Sequence, residues 1–248
     1  MNTAASMPSL EPTALQLLAG TLLMAAGALL QASVGFGIAL FVVPPLILLN
    51  PAFVPGPMLF ASLFLAGIMA LRGREGIEPR KLGLAVAGLF LGTAAGALSL
   101  LIVAADEWPK LFAVLILSAV ALSASGIHIP VTRRNLAVAG ILSGLMGTIS
   151  GIHGPPLALL YQREEGNVVR TNLAAFFTLA YLIAIGALGI IGLFGKRELL
   201  IGLALTPGVV AGYLLARFCT RLLDRGSWLR FAILAVASLS AIALLLKK

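Results

Sequence analysis

Two short stretches hold most of the polar chemistry in an otherwise apolar sequence. The first reads Gln31-Ala-Ser33-Val-Gly35-Phe36-Gly37 and is followed by Pro44-Pro45. The second reads Gly147-Thr148-Ile-Ser150-Gly151-Ile152-His153-Gly154-Pro155-Pro156. The hydroxyls of Ser33, Thr148 and Ser150 and the amide of Gln31 are hydrogen-bond donors. The glycines let the main chain leave helical geometry and let a ligand approach backbone N–H groups closely. A helix that restarts after such a break has free N–H groups in its first turn and the positive end of the helix dipole, which suits a small oxyanion. His153 is one of two histidines. It reads equally well as a functional group or as a neutral imidazole bonded to backbone. Arg170, followed by Thr171 and Asn172 at the head of a long apolar run, could clamp an anion or lie at the membrane surface. The adjacent polar pair favours the site.

The remaining chemistry narrows the function classes. All nine acidic residues fall in expected loops: Glu11, Glu75, Glu78, Asp106, Glu107, Glu164, Glu165, Glu198 and Asp224. No carboxylate is then available at depth for a proton relay, a sodium cage or aspartyl proteolysis, and an anion becomes the natural substrate. Gly147-Thr-Ile-Ser150-Gly151 only approximates a Gly-x-Ser-Gly nucleophile turn, and His153 shares the serine's own turn. A membrane-embedded hydrolase using Ser150 and His153 is therefore the runner-up class. The single cysteine, Cys219, can neither close an intramolecular disulfide nor found a metal site. No P-loop or dinucleotide motif occurs, so no cofactor is expected.

The elements that must position these residues follow from composition. Of 248 residues, 60% are apolar and 10% charged, with a mean hydropathy of +1.08 spread over the whole chain. A soluble domain is about 45–50% apolar and about 25% charged, so this is a polytopic membrane protein. The net charge of +8 comes from basic residues between apolar stretches, which points to membrane orientation rather than nucleic acid. The first dozen residues contain no Lys or Arg, and no cleaved signal is expected. Trp108 and Trp228 are expected as interface anchors, and His128 at a segment end.

Apolar stretches at 13–34, 36–49, 55–71, 82–104 and 110–127 recur at 136–150, 155–161, 171–193, 199–218 and 229–246. An offset of 116 residues pairs Gly35 with Gly151, Phe60 with Phe176, Gly76 with Gly192, Gly92 with Gly208 and Gly96 with Gly212. Gene duplication explains the series. The expected organisation is a tail at 1–12, a first repeat at 13–128, a linker at 129–134 and a second repeat at 135–248. About 20 helical residues cross a hydrocarbon core of about 30 Å. Runs 36–49 and 155–161 are too short, and each carries a proline pair that disrupts a helix, so they read as half-helices. Paired interrupted segments are the best sequence pointer to a transporter site. If each broken pair returns to its side of entry, twelve of the 17 basic residues fall on the cytoplasmic side. If each crosses once, ten do. The first arrangement makes the halves inverted. Gly92/Gly96 and Gly208/Gly212 read as helix-packing pairs.

At these clusters the chain resembles the TauE/SafE family of sulfite-exporter-like permeases. The likeness rests on Gly35-Phe36-Gly37 with Pro44, on Gly151-Ile152-His153-Gly154-Pro155-Pro156-Leu157, on Arg170-Thr171 and on the glycine-bearing helices, and it runs from about residue 14 to the end. It implies an inner-membrane carrier of small sulfur-containing or organic anions. His153 stands where the family frequently has glycine, and the double proline follows early. A histidine there could select a different anion or link transport to pH.

The resulting expectation is an all-α, multi-pass protein of two homologous, inverted repeats, each with a re-entrant half-helix hairpin. It would export sulfite or a related organosulfonate. Import of thiosulfate or an organosulfur acid is the alternative. The expected site comprises Gln31, Ser33, Gly35, Phe36, Gly37, Thr148, Ser150, Gly151, His153, Gly154, Arg170 and Asn172. Expected partners are the small anion and the lipid bilayer, with a homodimer left open and nucleic acid not expected.

Overall fold

The apolar runs become helices, and proline and glycine mark most of their ends. The computed structural model describes residues 11–34, 38–104, 107–127, 129–161, 166–223 and 227–246. In chain order the helices are α1 (Ala14–Val34), α2 (Ile38–Leu49), α3 (Gly56–Arg72), α4 (Pro79–Ile102), α5 (Trp108–Ala124), α6 (Arg133–Ser150), α7 (Gly154–Leu160), α8 (Gly166–Ile190), α9 (Lys196–Leu223) and α10 (Ser227–Leu246). Helices α3, α4, α5 and α7 carry proline in the first turn, where the missing N–H costs nothing. Thr132 caps α6 by accepting from the Asn135 N–H at 3.2 Å. Gly151, at φ 81°, closes α6 with its N–H 2.8 Å from the Gly147 carbonyl, a left-handed end that glycine adopts without strain.

Among the described residues, four stretches are long and apolar enough to cross a membrane: Ala14–Ser33, Pro79–Ile102, Val169–Ile190 and Lys196–Phe218. Their outer faces carry exposed Leu22, Leu91, Ile102, Ile190 and Phe218, as lipid-facing surfaces should. The two broken segments are short. Helix α2 has 12 residues and α7 has seven. The proline pairs act differently in the two. Pro155 and Pro156 sit in the opening turn of α7, whereas α2 continues through Pro44 and Pro45. The expected disruption in α2 is thus limited to unfilled ladder bonds. Helix α2 runs back beside α1, since Gln16 Nε2 donates to the Leu49 carbonyl at 2.9 Å and Asn50 Nδ2 donates to Gln16 Oε1 at 3.2 Å.

Two glycine seams hold the bundle. On α4, a Cβ added at Gly88 would strike the Ala137 carbonyl, and one at Gly92 the Ile141 carbonyl of α6. From the other side, Gly140 and Gly144 face the carbonyls of Ala85 and Leu89. The register rises on both helices together, so α4 and α6 are parallel. The second seam joins α1 to α9, with Gly208 against the Thr21 carbonyl and Gly212 against the Ala25 carbonyl. Thr21 Oγ1 also donates to the Ala204 carbonyl at 3.2 Å. These helices, too, are parallel. Backbones this close are what small residues permit between membrane helices.

Trp108 departs from the expected interface anchor. It is buried, and its indole N–H donates to the Val103 carbonyl at 3.1 Å, tying the end of α4 to the start of α5. The side chain of Trp228 and the whole of His128 lie outside what the structure describes.

Candidate functional site

The second break is built around an imidazole seat. Gly151 ends α6, and two residues later His153 folds back against that helix, so that a Cβ at Gly147 would fall on its ring. The tyrosine ring of Tyr181 on α8 meets the imidazole edge-to-face, with centroids 5.3 Å apart. Phe177, one turn earlier, stacks on Tyr181 at 6.0 Å. His153 is 1% exposed. The Gly151 backbone lies within electrostatic reach of the ring, but neither ring nitrogen has a partner of hydrogen-bond geometry among the described residues. Gly154 abuts Phe177, and Gly151 packs on Val43 of α2 and on Met58 and Leu59 of α3. First-half elements therefore reach the second break.

The neighbouring hydroxyls divide into satisfied and unsatisfied groups. Ser150 Oγ donates to the Met146 carbonyl at 2.8 Å, so its proton is committed to its own helix rather than to His153. That arrangement gives the hydrolase alternative no nucleophile–base contact. Thr148 Oγ1 is fully buried and without a partner among the described residues. In the first half, both amide atoms of Gln31 and the hydroxyl of Ser33 are likewise buried and unpartnered among the described residues. Gly35, Phe36 and Gly37 lie outside the described residues.

Arg170 joins the halves. From the start of α8 its Nη1 donates to the Ser33 carbonyl at 2.8 Å, placing a cation on the C-terminal end of α1, where the helix dipole favours it. Asn172 has a different task. Its Oδ1 accepts from the Glu78 N–H at 2.9 Å and its Nδ2 donates to the Gly76 carbonyl at 3.0 Å, clamping the α3–α4 connection to α8. Thr171 packs against Gly73 in that connection. Of the predicted residues, Arg170 therefore reaches the first break, and Asn172 serves the loop.

Main-chain donors are scarcer than the sequence suggests. Helix α7 has seven residues, and two positions of its first turn are Pro155 and Pro156, which have no N–H. The second half thus depends on side chains for polar contacts. Ser62 on α3, Thr93 on α4 and Ser143 on α6 extend this inventory, each buried and unpartnered among the described residues. Sequence reasoning passed over them, along with Phe177 and Tyr181. Available signals were lone hydroxyls inside spanning-length helices and an aromatic pair spaced i, i+4.

An unpaired buried polar group costs about 1–3 kcal/mol. Such groups on α1, α6 and the second break are thus a standing cost that a polar ligand would relieve. Among the described residues every carboxylate sits in a connection or a terminal turn, and no three His, Cys, Asp or Glu side chains gather as a metal site. The chemistry offered is neutral hydrogen bonding plus one guanidinium at the edge.

The family model described as Sulfite exporter TauE/SafE matches residues 19–244. No curated protein and no solved structure matches the chain.

Proposed function

The chain belongs to the TauE/SafE sulfite exporter family, a membrane permease family of the sulfur-anion type, and from that premise we propose that it exports sulfite or a closely related sulfur oxyanion. The observation carrying this reading is the set of polar side chains at the two breaks, Gln31, Ser33, Thr148 and His153, that are buried and unpartnered among the described residues. A small oxyanion accepts hydrogen bonds on every oxygen and needs donors without a competing buried carboxylate. The inventory has that character.

In this reading the two halves are inverted: α3 and α1 run with α9, with Gly56 against Glu198 and Gly202 against Phe60, while α4 returns from the short α3–α4 connection and runs with α6. At the repeat offset, α1 and α9 correspond to α6 and α4, so the same seam is made twice with the halves exchanged. One half rocks against the other about the breaks to give alternating access. Arg170 closes one route by holding the end of α1. Placed in the plasma membrane, the protein needs no coupling ion for export, because an interior-negative potential drives an anion outward by about 2.3 kcal/mol per charge per 100 mV.

The test is thermal stabilisation of the purified protein by sulfite, thiosulfate, sulfate, isethionate, sulfoacetate, taurine and simple carboxylates. A ligand at a hundred times its Kd stabilises the native state by about 2.7 kcal/mol. A shift confined to one or two sulfur oxyanions, and reduced in His153→Ala, is expected. No shift with any of them well above millimolar concentration contradicts the proposal.

A further inference from the structure

We propose that Gln31 and His153 are one functional position built twice, each delivering the polar head by which its own half contacts the anion. The inference rests on the transport reading above. At the offset of 116 residues, Gln31 corresponds to Gly147 and Gly37 corresponds to His153. The two halves therefore carry the same pair, one glycine and one polar side chain six residues apart, in opposite order.

The second half shows why only one of the two positions can be occupied. The imidazole lies on Gly147 so closely that even a Cβ there would overlap its ring. A glutamine at 147 and a histidine at 153 would compete for one space. In the first half the helix position holds the glutamine and the break position is glycine. The positions equivalent to the imidazole's neighbours differ as well. Phe177 and Tyr181, which floor the imidazole seat, correspond by the same offset to Ala61 and Leu65 on α3, both completely buried. The imidazole held from the break has an aromatic floor, whereas the equivalent positions of the first half are smaller and aliphatic.

The two heads also share a condition that packing alone does not explain. Gln31 is 0% exposed and His153 is 1% exposed, and all four of their nitrogen and oxygen atoms are unpartnered among the described residues. Each has a donor and an acceptor to offer in its neutral form. Filling such sites with apolar groups of similar shape would relieve that cost, so polar heads in both halves point to a ligand touched from both.

The experiment exchanges the order in one half at a time, reading sulfite-induced thermal stabilisation and counterflow of labelled sulfite in proteoliposomes. His153→Gly alone should weaken sulfite binding about tenfold. Gly147→Gln alone should lower the melting temperature, because its side chain meets the imidazole. The double variant G147Q/H153G should recover stability and bind sulfite to within about threefold of the parent. The mirror variant Q31G/G37H should do the same. If the parent binds and a double variant folds yet stays as weak as His153→Gly, the equivalence is overturned. If neither double variant folds, the two orders are not interchangeable and it is overturned too. A parent that responds to no sulfur anion instead defeats the transport reading itself, which the variants play no part in judging.

Discussion

The seams and the breaks of this molecule follow opposite rules. The α4–α6 seam and the α1–α9 seam repeat one construction, glycine against a backbone carbonyl in parallel register. The two breaks share a place in the repeat but not a filling. One has Gln31 on the helix, while the other has His153 in the turn with an aromatic floor beneath it. Close backbone packing keeps glycine at Gly92/Gly208 and Gly96/Gly212, where an added Cβ would meet main chain, while Ala204, Met24 and Ala28 stand at the offsets of Gly88, Gly140 and Gly144. A site touched from both halves, as proposed above, can exploit unequal sides. The seams thus share glycines at equivalent positions, while the polar residues of the breaks differ.

The largest expected effects belong to the seams. Gly140→Leu and Gly208→Leu should each cost upwards of about 3 kcal/mol, since overpacking against backbone exceeds the usual core penalty. Both variants should lose the monodisperse folded species on gel filtration. Gly83→Leu and Gly186→Leu, where nothing lies within 4 Å of an added Cβ, should stay within about 0.5 kcal/mol of the parent. A tolerated Gly208→Leu beside a lethal Gly140→Leu would break the likeness of the seams. Next come the breaks. Gln31→Ala and His153→Ala should each weaken sulfite binding about tenfold, or 1.4 kcal/mol, with little loss of melting temperature. A strong effect in one half alone would make the site one-sided.

Smaller effects separate the two polar residues at the head of α8. Arg170→Gln removes the bond to the Ser33 carbonyl and should cost about 1 kcal/mol of stability, together with a change in transport rate. Asn172→Ala should cost a similar amount but leave sulfite affinity unchanged, while exposing the α3–α4 connection to limited proteolysis. Ser150→Ala should be the mildest, under about 1 kcal/mol and with transport within about twofold, because its hydroxyl already serves Met146.

Much of this arrangement is legible in the sequence, for reasons that particular residues make plain. Short runs after glycine clusters announce α2 and α7, and the spacing of Gly92, Gly96, Gly208 and Gly212 announces the seams. What each seam glycine meets is not legible, since nothing in Gly88 names Ala137 as its neighbour. His153, Gln31 and Thr148 stand out as polar residues in apolar runs and are buried without partners among the described residues. Asn172 also stands out but clamps a connection, because an amide at a helix start suits a loop as well as a ligand. Trp108 illustrates the same limit. A tryptophan at a helix end can face lipid or turn inward to bond the preceding helix, and here the Val103 carbonyl takes it. Ser62, Thr93 and Ser143 were hidden by their helices, whose hydropathy a single hydroxyl barely alters.

The central claim is that one sulfur-oxyanion site is shared by both breaks. Its most direct test is efflux of labelled sulfite from proteoliposomes under an imposed interior-negative potential, comparing the parent with Gln31→Ala and His153→Ala. Saturable, potential-driven efflux by the parent and a comparable loss in both variants are expected. Efflux at parental rates from both variants would contradict the claim.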